Sequence, residues 1–299
     1  MARRRCVPTT GRCTSSGAEA GPRRGGVRVR WAAGGAVTGY VFDASDLVGE
    51  QRKYMQQALD PITTARMEAL GVGPGWRCLE VGGGGGSIAD WLSERAGNSG
   101  HVLVTDVDPD EIRRNAENIS IRRHDIVSDE LPEAEFDLVH ARLVLLHLPE
   151  RHRALTRMVR ALRPGGWLLL GEFDCTWMPV LSAPNEDTTR LFRRFHAGLC
   201  QLLTRAGADI AWGTHAYQAL RGQGLAEVGH CAQAHPWPGG SVGCRWLHVN
   251  SLQLQDKLIA AGLLTAAELD TLRDLLADPR FVVSSYLTTS TWGRRTIEP

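Results

Sequence analysis

Five consecutive glycines, Gly82 to Gly86, follow the strand-like segment Leu79-Glu80-Val81 and precede a helical pattern that starts at Ser87. Glycine has no Cβ, so such a loop can adopt positive φ and bring main-chain N–H groups within contact distance of a ligand. The sequence therefore predicts a strand, a glycine loop and a helix that together meet a nucleotide-type ligand. A turn with a purely structural role is the alternative.

A second acidic position narrows the choice of ligand. The apolar run 101–105 ends in Asp106, about two dozen residues after Glu80, where a parallel strand would present a carboxylate to ribose hydroxyls. This arrangement fits a dinucleotide and S-adenosylmethionine equally. The dinucleotide fingerprint, however, needs Gly or Ala three positions after its second glycine, and this chain has Ser87 or Ile88 there.

Further motifs follow in the order of a known family. They are Arg123-His124-Asp125-Ile126, Phe136-Asp137-Leu138-Val139-His140, and Arg163-Pro164-Gly165-Gly166 before an apolar strand. With the spacing Gly82-x-Gly84-x-Gly86 after Glu80, this set covers about residues 60–172 and resembles the class I S-adenosylmethionine-dependent methyltransferases. The chain most resembles the small-molecule branch of that family, of the ubiquinone/menaquinone or natural-product type.

The resemblance implies a fold and a cofactor. The fold is an α/β, Rossmann-like, doubly wound, mostly parallel seven-stranded sheet with an antiparallel final strand, N-terminal helices and a helical cap after strand five. The cofactor is S-adenosyl-L-methionine. The residues that correspond to the family's cofactor-binding positions are Glu80, Gly82, Gly84, Gly86, Asp106, Asp125, Ile126 and His140. In the family the acid at the position of Glu80 orders the loop, and Asp125 would meet the adenine amino group.

The chain divides into a tail and one domain. Residues 1–36 are rich in Arg and Gly and predict a disordered tail, and residues 37–299 predict the methyltransferase domain, with 173–213 as an acceptor-binding cap insertion. Asp60-Pro61 predicts the cap and first turn of a helix that leads into strand one. Near the end of the chain, Thr265 to Glu268 fits a capping box, and 281–292 predicts the final strand, antiparallel and between strands five and six.

Candidate catalytic residues follow strands four and five. His147 has an unperturbed pKa near 6.5 that suits a general base, although a structural histidine is the alternative. Glu172 leaves strand five at its C-terminal edge, where ligands of open α/β sheets gather. Asp174, His196 and His215 are further candidates. The predicted acceptor pocket contains Tyr40, Trp177, Phe195 and His196; helix packing explains Phe195 equally well, and exposed helix surface explains Tyr40.

Composition excludes several classes of protein. The seven cysteines are odd in number and include no C-x-x-C pair, so we expect a cytoplasmic protein with reduced thiols and no metal. The first thirty residues hold eight arginines and one glutamate, and because the whole chain carries only +1, the remainder is acidic. An acidic domain argues against a nucleic-acid partner. No apolar run approaches the roughly twenty residues of a membrane span.

The sequence thus predicts methyl transfer to a small-molecule acceptor in secondary metabolism, with O-methylation favoured slightly over N- or C-methylation. A homodimer is compatible with the sequence, which does not separate exposed from buried apolar surface. An NAD(P)-dependent oxidoreductase is one alternative; its Tyr-x-x-x-Lys motif is absent, since lysine occurs only at positions 53 and 257. A non-catalytic protein of this fold that binds S-adenosylmethionine is the other.

Overall fold

The computed structural model describes residue 42 and residues 47–112 and 116–296. The predicted tail 1–36 and the predicted pocket residue Tyr40 lie outside the described residues, and so does the start of the predicted domain. Within the described ranges the chain forms a seven-stranded sheet, a three-stranded sheet and eight α-helices.

The large sheet has the strand order β3-β2-β1-β4-β5-β10-β7. Its strands are β1 Arg77–Val81, β2 His101–Asp106, β3 Ile119–Arg123, β4 Phe136–Arg142, β5 Leu162–Asp174, β7 Ala226–Gln233 and β10 Leu287–Arg294. Strands β1 to β5 pair in parallel, whereas β10 runs antiparallel between β5 and β7. The predicted fold class, including the place of the antiparallel final strand, is confirmed.

The helices lie on both faces of this sheet. They are α1 Val48–Ala69, α2 Ser87–Ala96, α3 Arg151–Ala161, α4 Glu186–Arg205, α5 Trp212–Gly222, α6 Val242–Gln253, α7 Gln255–Ala260 and α8 Ala266–Ala277. Strand β1 is buried on both faces, as expected for a central parallel strand. Its side chains alternate between two hydrophobic cores. Leu79 packs in the core that contains α3 and α5, and Cys78 packs in the core that contains α2. The candidate functional site lies at the C-terminal edge of the strands.

Helix α1 differs from its prediction. The helix begins at Val48 and Pro61 lies in its interior, so Asp60-Pro61 is not a helix start. Proline removes one main-chain hydrogen bond and costs a helix interior about 3 kcal/mol. Tertiary contacts offset this cost: the Asp60 carboxylate accepts a hydrogen bond from Arg142 Nη1 at 2.8 Å, and α1 packs along α6.

The C-terminal region also divides more finely than predicted. The capping box is confirmed, since the Thr265 hydroxyl accepts from the Glu268 N–H and Glu268 accepts from the Thr265 N–H at 2.9 Å. The predicted strand 281–292 splits into β9 Val282–Ser284 and β10. Strand β9 pairs antiparallel with β6 Val180–Ser182 and β8 Pro236–Pro238 in the small sheet. Residues 173–213, the predicted cap insertion, contain β6 and α4.

Candidate functional site

The glycine loop connects β1 to α2 at the C-terminal edge of the sheet. Gly82, Gly84 and Gly86 have φ of +72°, +53° and +77°, a left-handed conformation that L side chains rarely adopt. Gly86 is the residue that precedes the first turn of α2, and its N–H donates to the Gly83 carbonyl at 2.8 Å. Backbone conformation alone therefore requires glycine at three of the five positions.

The other two glycines lie close to neighbouring side chains. A Cβ on Gly83 would overlap Val104 Cγ1 of β2 and approach Ile112 Cδ1 to 3.1 Å. A Cβ on Gly85 would overlap the side-chain amide of Gln56 in α1. Gly84 differs from both, because a Cβ added to it would meet nothing nearer than the Gly82 carbonyl oxygen at 3.9 Å. The bare backbone of Gly84 therefore faces open space.

Strand β2 holds this loop in place. The Thr105 carbonyl accepts hydrogen bonds from the N–H groups of Gly82 and Gly83, at 2.7 and 3.1 Å. The Asp106 carboxylate accepts from the Gly84 N–H at 3.0 Å through Oδ2 and from the Asp108 N–H at 2.9 Å through Oδ1. Since a carboxylate has about four acceptor positions, Asp106 keeps capacity for ligand hydroxyls while it orders the loop.

Glu80 and His140 form a buried pair beneath the loop. They are cross-strand neighbours on β1 and β4, and Glu80 Oε2 lies 2.5 Å from His140 Nδ1. This distance is that of a hydrogen bond between the carboxyl group and the imidazole. His140 Nε2 is buried and makes no hydrogen bond within the described residues. The pair joins the ends of two adjacent strands below the site, and neither side chain is exposed.

Asp125 and Ile126 follow β3 at the same edge. The Asp125 Oδ1 atom accepts from the Val127 N–H at 2.8 Å, and Ile126 is buried in the core. The preceding His124 lies beside β2, since its N–H donates to the Asp106 carbonyl at 2.9 Å. The loop after β3 is thus tied to the strand that carries Asp106, which brings two predicted cofactor positions to one edge.

Helix α1 contributes a residue that the sequence did not identify. Gln56 presents its amide to the backbone of Gly85, and the aliphatic part of Arg52 lies nearby. The start of the helix is held by a buried amide contact, in which Gln51 Nε2 donates to Asn250 Oδ1 of α6 at 2.6 Å. Helical periodicity in the sequence identifies one face of α1 but not the element that this face contacts. The helix covers the glycine loop.

The turn between β4 and α3 carries the predicted base. Residues Leu145–His147 form a short 3₁₀ turn, and Glu172 of β5 accepts from the Leu145 N–H at 3.0 Å. Burial raises the pKa of Glu172 to about 8, and burial lowers the pKa of His147 to about 4. At neutral pH the imidazole is therefore uncharged, and the buried carboxyl group is largely protonated.

A family model matches the part of the chain that contains this site. Residues 79–170 match the model described as a methyltransferase domain. This segment of the chain is similar to the methyltransferase domain family. The match begins at the second buried residue of β1 and ends within β5, so it contains the glycine loop, Asp106 and the Glu80–His140 pair of the methyltransferase domain.

Two curated relatives are named methyltransferases, and one solved structure shares the fold. The ubiquinone/menaquinone biosynthesis C-methyltransferase of Laribacter hongkongensis is 31% identical over 121 residues, 38% of this chain and 50% of the relative. Methyltransferase str2 of Strobilurus tenacellus is 29% identical over 138 residues, 46% of this chain and 50% of the relative. The chain spans about half the length of these two curated relatives. The cyclase SpnF has the same fold, with a TM-score of 0.50 at 20% identity over 81% of this chain and 84% of SpnF.

The predicted acceptor residues of the methyltransferase domain do not share one environment. Trp177 is 48% exposed, whereas Phe195 is 1% exposed and packs with Phe192 in the interior face of α4. His196 is half-buried, with Nε2 3.5 Å from Cys200 Sγ, and burial lowers its pKa.

The two further candidates after β5 have partners of their own. Asp174 accepts from the hydroxyl of Thr214 at 2.6 Å and from the Thr176 N–H at 2.9 Å. Burial acts to raise the pKa of Asp174, but these hydrogen bonds outweigh it and lower the pKa. His215 Nδ1 lies 2.8 Å from Asp209 Oδ2. The hydrogen bonds of both residues tie them to segments near α5.

Beside His196 lies a group that sequence reasoning missed, here called the aromatic cluster: Phe173, Trp237, Trp246 and Tyr286. The Phe173 ring lies 5.0 Å from that of Tyr286 and 5.7 Å from that of Trp246, and Trp237 meets Tyr286 edge to face at 6.3 Å. The four rings come from widely separated segments that meet where β5 ends. No periodic pattern in the sequence links them.

The glycine loop fits the cofactor that the family implies. Its open backbone at Gly84, with an adjacent carboxylate on Asp106, offers the close approach and the acceptor that a nucleoside with ribose hydroxyls requires. No group of three or more His, Cys, Asp or Glu side chains within the described ranges is arranged to hold a metal ion. Over the same ranges, no helix combines the length and hydrophobicity that a bilayer crossing needs.

Proposed function

We propose that this chain transfers the methyl group of S-adenosylmethionine to a small-molecule acceptor. The observation that carries the proposal is the glycine loop, in which Gly84 turns bare backbone to open space beside the Asp106 carboxylate. Its position at the C-terminal edge of β1 is where ligands of open α/β sheets bind. The match of residues 79–170 to the methyltransferase domain supports the same conclusion.

In this proposal four groups bind the cofactor. Asp106 accepts hydrogen bonds from the ribose hydroxyls, and the segment Asp125-Ile126 meets the adenine, with Asp125 at its amino group. The backbone of the glycine loop approaches the cofactor, and Gln56 covers it from α1. The buried Glu80–His140 pair holds β1 and β4 in register below. When bound, S-adenosylmethionine supplies an electrophilic methyl group on a sulfonium, so that alignment and exclusion of water are the tasks left to the protein.

His147 is proposed as the group that accepts the acceptor's proton. Its lowered pKa, about 4, keeps the imidazole uncharged and able to accept a proton at neutral pH. Glu172 is proposed to act on the same turn: by accepting from the Leu145 N–H, it fixes the segment that carries His147. A base of low pKa deprotonates best a hydroxyl that is itself acidic, such as a phenol.

The acceptor is proposed to bind beside the cap, near Trp177 and His196, with Phe195 packed beneath. Exposure of Trp177 and half-burial of His196 favour contact with a flat, largely apolar molecule. Transfer to oxygen is proposed over transfer to nitrogen or carbon because an uncharged imidazole can accept the proton of a hydroxyl group. The relative from Laribacter hongkongensis is named for C-methylation in quinone biosynthesis, so phenolic and quinone-like compounds are the first acceptors to test. A cytoplasmic enzyme of secondary metabolism fits this acceptor class.

A non-catalytic protein is the alternative. SpnF has this fold and is named a cyclase, so the fold by itself does not establish methyl transfer. Turnover with S-adenosylmethionine and a phenolic panel, followed by mass spectrometry of a product heavier by one methylene unit, separates the two functions. Cofactor binding without any product across the panel would favour the non-catalytic alternative.

Calorimetric titration with S-adenosylmethionine, S-adenosylhomocysteine and NADH tests the cofactor. We expect micromolar binding of the first two and none of NADH. Asp106→Ala should weaken binding by about 1.5 to 3 kcal/mol, since it removes a charged acceptor. Asp110→Ala is the matched control, because the exposed Asp110 carboxylate accepts a hydrogen bond from Arg123 Nη2 at 2.8 Å. Binding of NADH alone, or equal affinity in both variants, would refute the assignment.

A further inference from the structure

A cavity of about 380 Å³ lies between the C-terminal half of α1 and the strands β7 and β10. Pro61, Ile62 and Ala65 of α1 form an apolar wall, and Cys231, Gln233 and Ser290 line the side of the sheet. None of the glycines of the β1–α2 loop is among its lining residues. A cavity of this volume is large enough for a small organic ligand.

Arg66 gives this cavity its charge. The guanidinium lies over the ring of Trp292 at 4.0 Å, and its Nε atom is buried without a hydrogen-bond partner in the described part of the chain. Other partly buried arginines differ: Arg142 bonds Asp60 at 2.8 Å, and Arg273 bonds Gln255 at 2.7 Å. A buried donor with no partner is rare in folded proteins, because leaving it unsatisfied is costly.

Two other polar side chains at the cavity lack partners as well. The side chains of Gln233 and Ser290 make no hydrogen bond to any residue that the structure describes, and His235 adds an imidazole at the margin. No Asp or Glu is among the lining residues. The cavity therefore combines one positive charge, several hydrogen-bonding groups and an apolar wall, without a carboxylate to neutralise the charge.

We propose that this cavity is a second ligand site, which binds a small organic carboxylate with an apolar body. The carboxylate accepts a charge-assisted hydrogen bond from the Arg66 guanidinium, with Gln233 and Ser290 close by, and the body lies along Pro61, Ile62 and Ala65. An anion neutralises the charge of a guanidinium that has no carboxylate partner among the described residues, and it leaves the Arg66 face on Trp292 undisturbed. The site is independent of the proposed methyl transfer, since it shares no residue with the cofactor groups.

The test follows the Arg66 Nε–H signal of the ¹⁵N-labelled full chain by NMR as benzoate is added, with benzamide as the uncharged ligand of equal shape. We expect saturable shifts with benzoate at a Kd of about 1 mM, the range for one charged contact and a small apolar area. Benzamide should shift the signal at least about tenfold less at equal concentration. Equal responses to both ligands, or a benzoate response that sodium chloride reproduces, would overturn the proposal.

Two variants locate the site by different means. Arg66→Met should weaken benzoate binding about tenfold or more, measured by saturation-transfer NMR of the ligand, because it removes the charge. Ala65→Phe should have a comparable effect by filling the cavity, and it keeps Arg66; Ala65 is exposed on the helix, so this variant should still fold. Arg190→Met, on the exposed face of α4, is the control and should bind as the unmodified chain does. Unchanged binding in Ala65→Phe would refute the location.

Discussion

The glycine loop and the aromatic cluster lie near the same edge of the sheet, yet they are built from different parts of the chain. The loop is made of five consecutive residues that offer their main chain, and it is tied to β2 by hydrogen bonds to Thr105 and Asp106. The cluster is made of four side chains, from β5, β8, α6 and the segment before β10. The loop has open backbone at Gly84, whereas the cluster buries apolar surface between distant segments.

This difference has a physical consequence for how each region tolerates change. The loop depends on φ angles and on the absence of side chains, so adding atoms should abolish binding at modest cost to stability. The cluster depends on buried area and ring contacts, so removing atoms should cost stability and leave cofactor binding unchanged. Three variants test this division, and a fourth tests the buried carboxyl group of Glu172 between the two regions.

Trp246→Ala should have the largest effect. Loss of a buried indole from the cluster should lower the free energy of unfolding by about 3 to 5 kcal/mol, measured by urea denaturation. Trp177→Ala, at an exposed tryptophan of the cap, is the control and should cost less than about 1 kcal/mol. Affinity for S-adenosylhomocysteine, measured well below the unfolding transition, should not change in either. A small stability loss in Trp246→Ala would mean that the cluster does not stabilise the cap.

Gly84→Val should act mainly on binding. The variant places a side chain in the open space beside Asp106, so affinity for S-adenosylhomocysteine should fall about 100-fold, or about 2.7 kcal/mol. Gly71→Val is matched to it, since Gly71 also has positive φ, at +83°, and open space where a Cβ would stand. Both variants should lose about 1 to 3 kcal/mol of stability from backbone strain. Equal affinities in the two variants would show that the loop is only a turn.

Glu172→Gln should change the pH dependence of stability. The pKa of Glu172 is raised to about 8 in the folded chain from 4.5, so the protonated form is favoured on folding. Its contribution is fully present below about pH 4.5 and is lost as the pH rises toward 8. The unmodified chain should therefore lose about 1 to 3 kcal/mol more than Glu172→Gln between pH 5 and pH 8. Parallel stability curves over this window would contradict the raised pKa.

Gln56→Ala should have the smallest effect. The amide of Gln56 lies against Gly85, so its removal should weaken cofactor binding a few-fold, by about 0.5 to 1.5 kcal/mol. Gln57→Ala is the control, because the neighbouring side chain is exposed on the same helix. Calorimetry on both variants checks the difference. If Gln57→Ala weakened binding as much, the effect would belong to helix stability and not to contact with the loop.

Part of the site could be predicted from the sequence, because the patterns that indicate it are local. Glycines between a strand and a helix, an acid at the end of the next strand and a capping box each depend on neighbours within a few residues, and the structure has the loop, Asp106 and the Thr265 cap as predicted. Pro61 shows the limit of local reasoning. Its preference for a first helical turn was outweighed by the packing of α1 along α6.

Adjacent residues encode the order of strands and helices, the glycine loop and the acid beside it, because main-chain conformation and strand burial follow from short stretches of sequence. The contacts between distant residues were evident only in the folded chain. They are Gln56 over Gly85, the Glu80–His140 pair and the aromatic cluster, and the unpartnered Arg66 Nε also became evident there. These contacts join residues far apart in the chain. Their existence depends on how whole elements pack, and packing is a property of the folded molecule that no single segment carries.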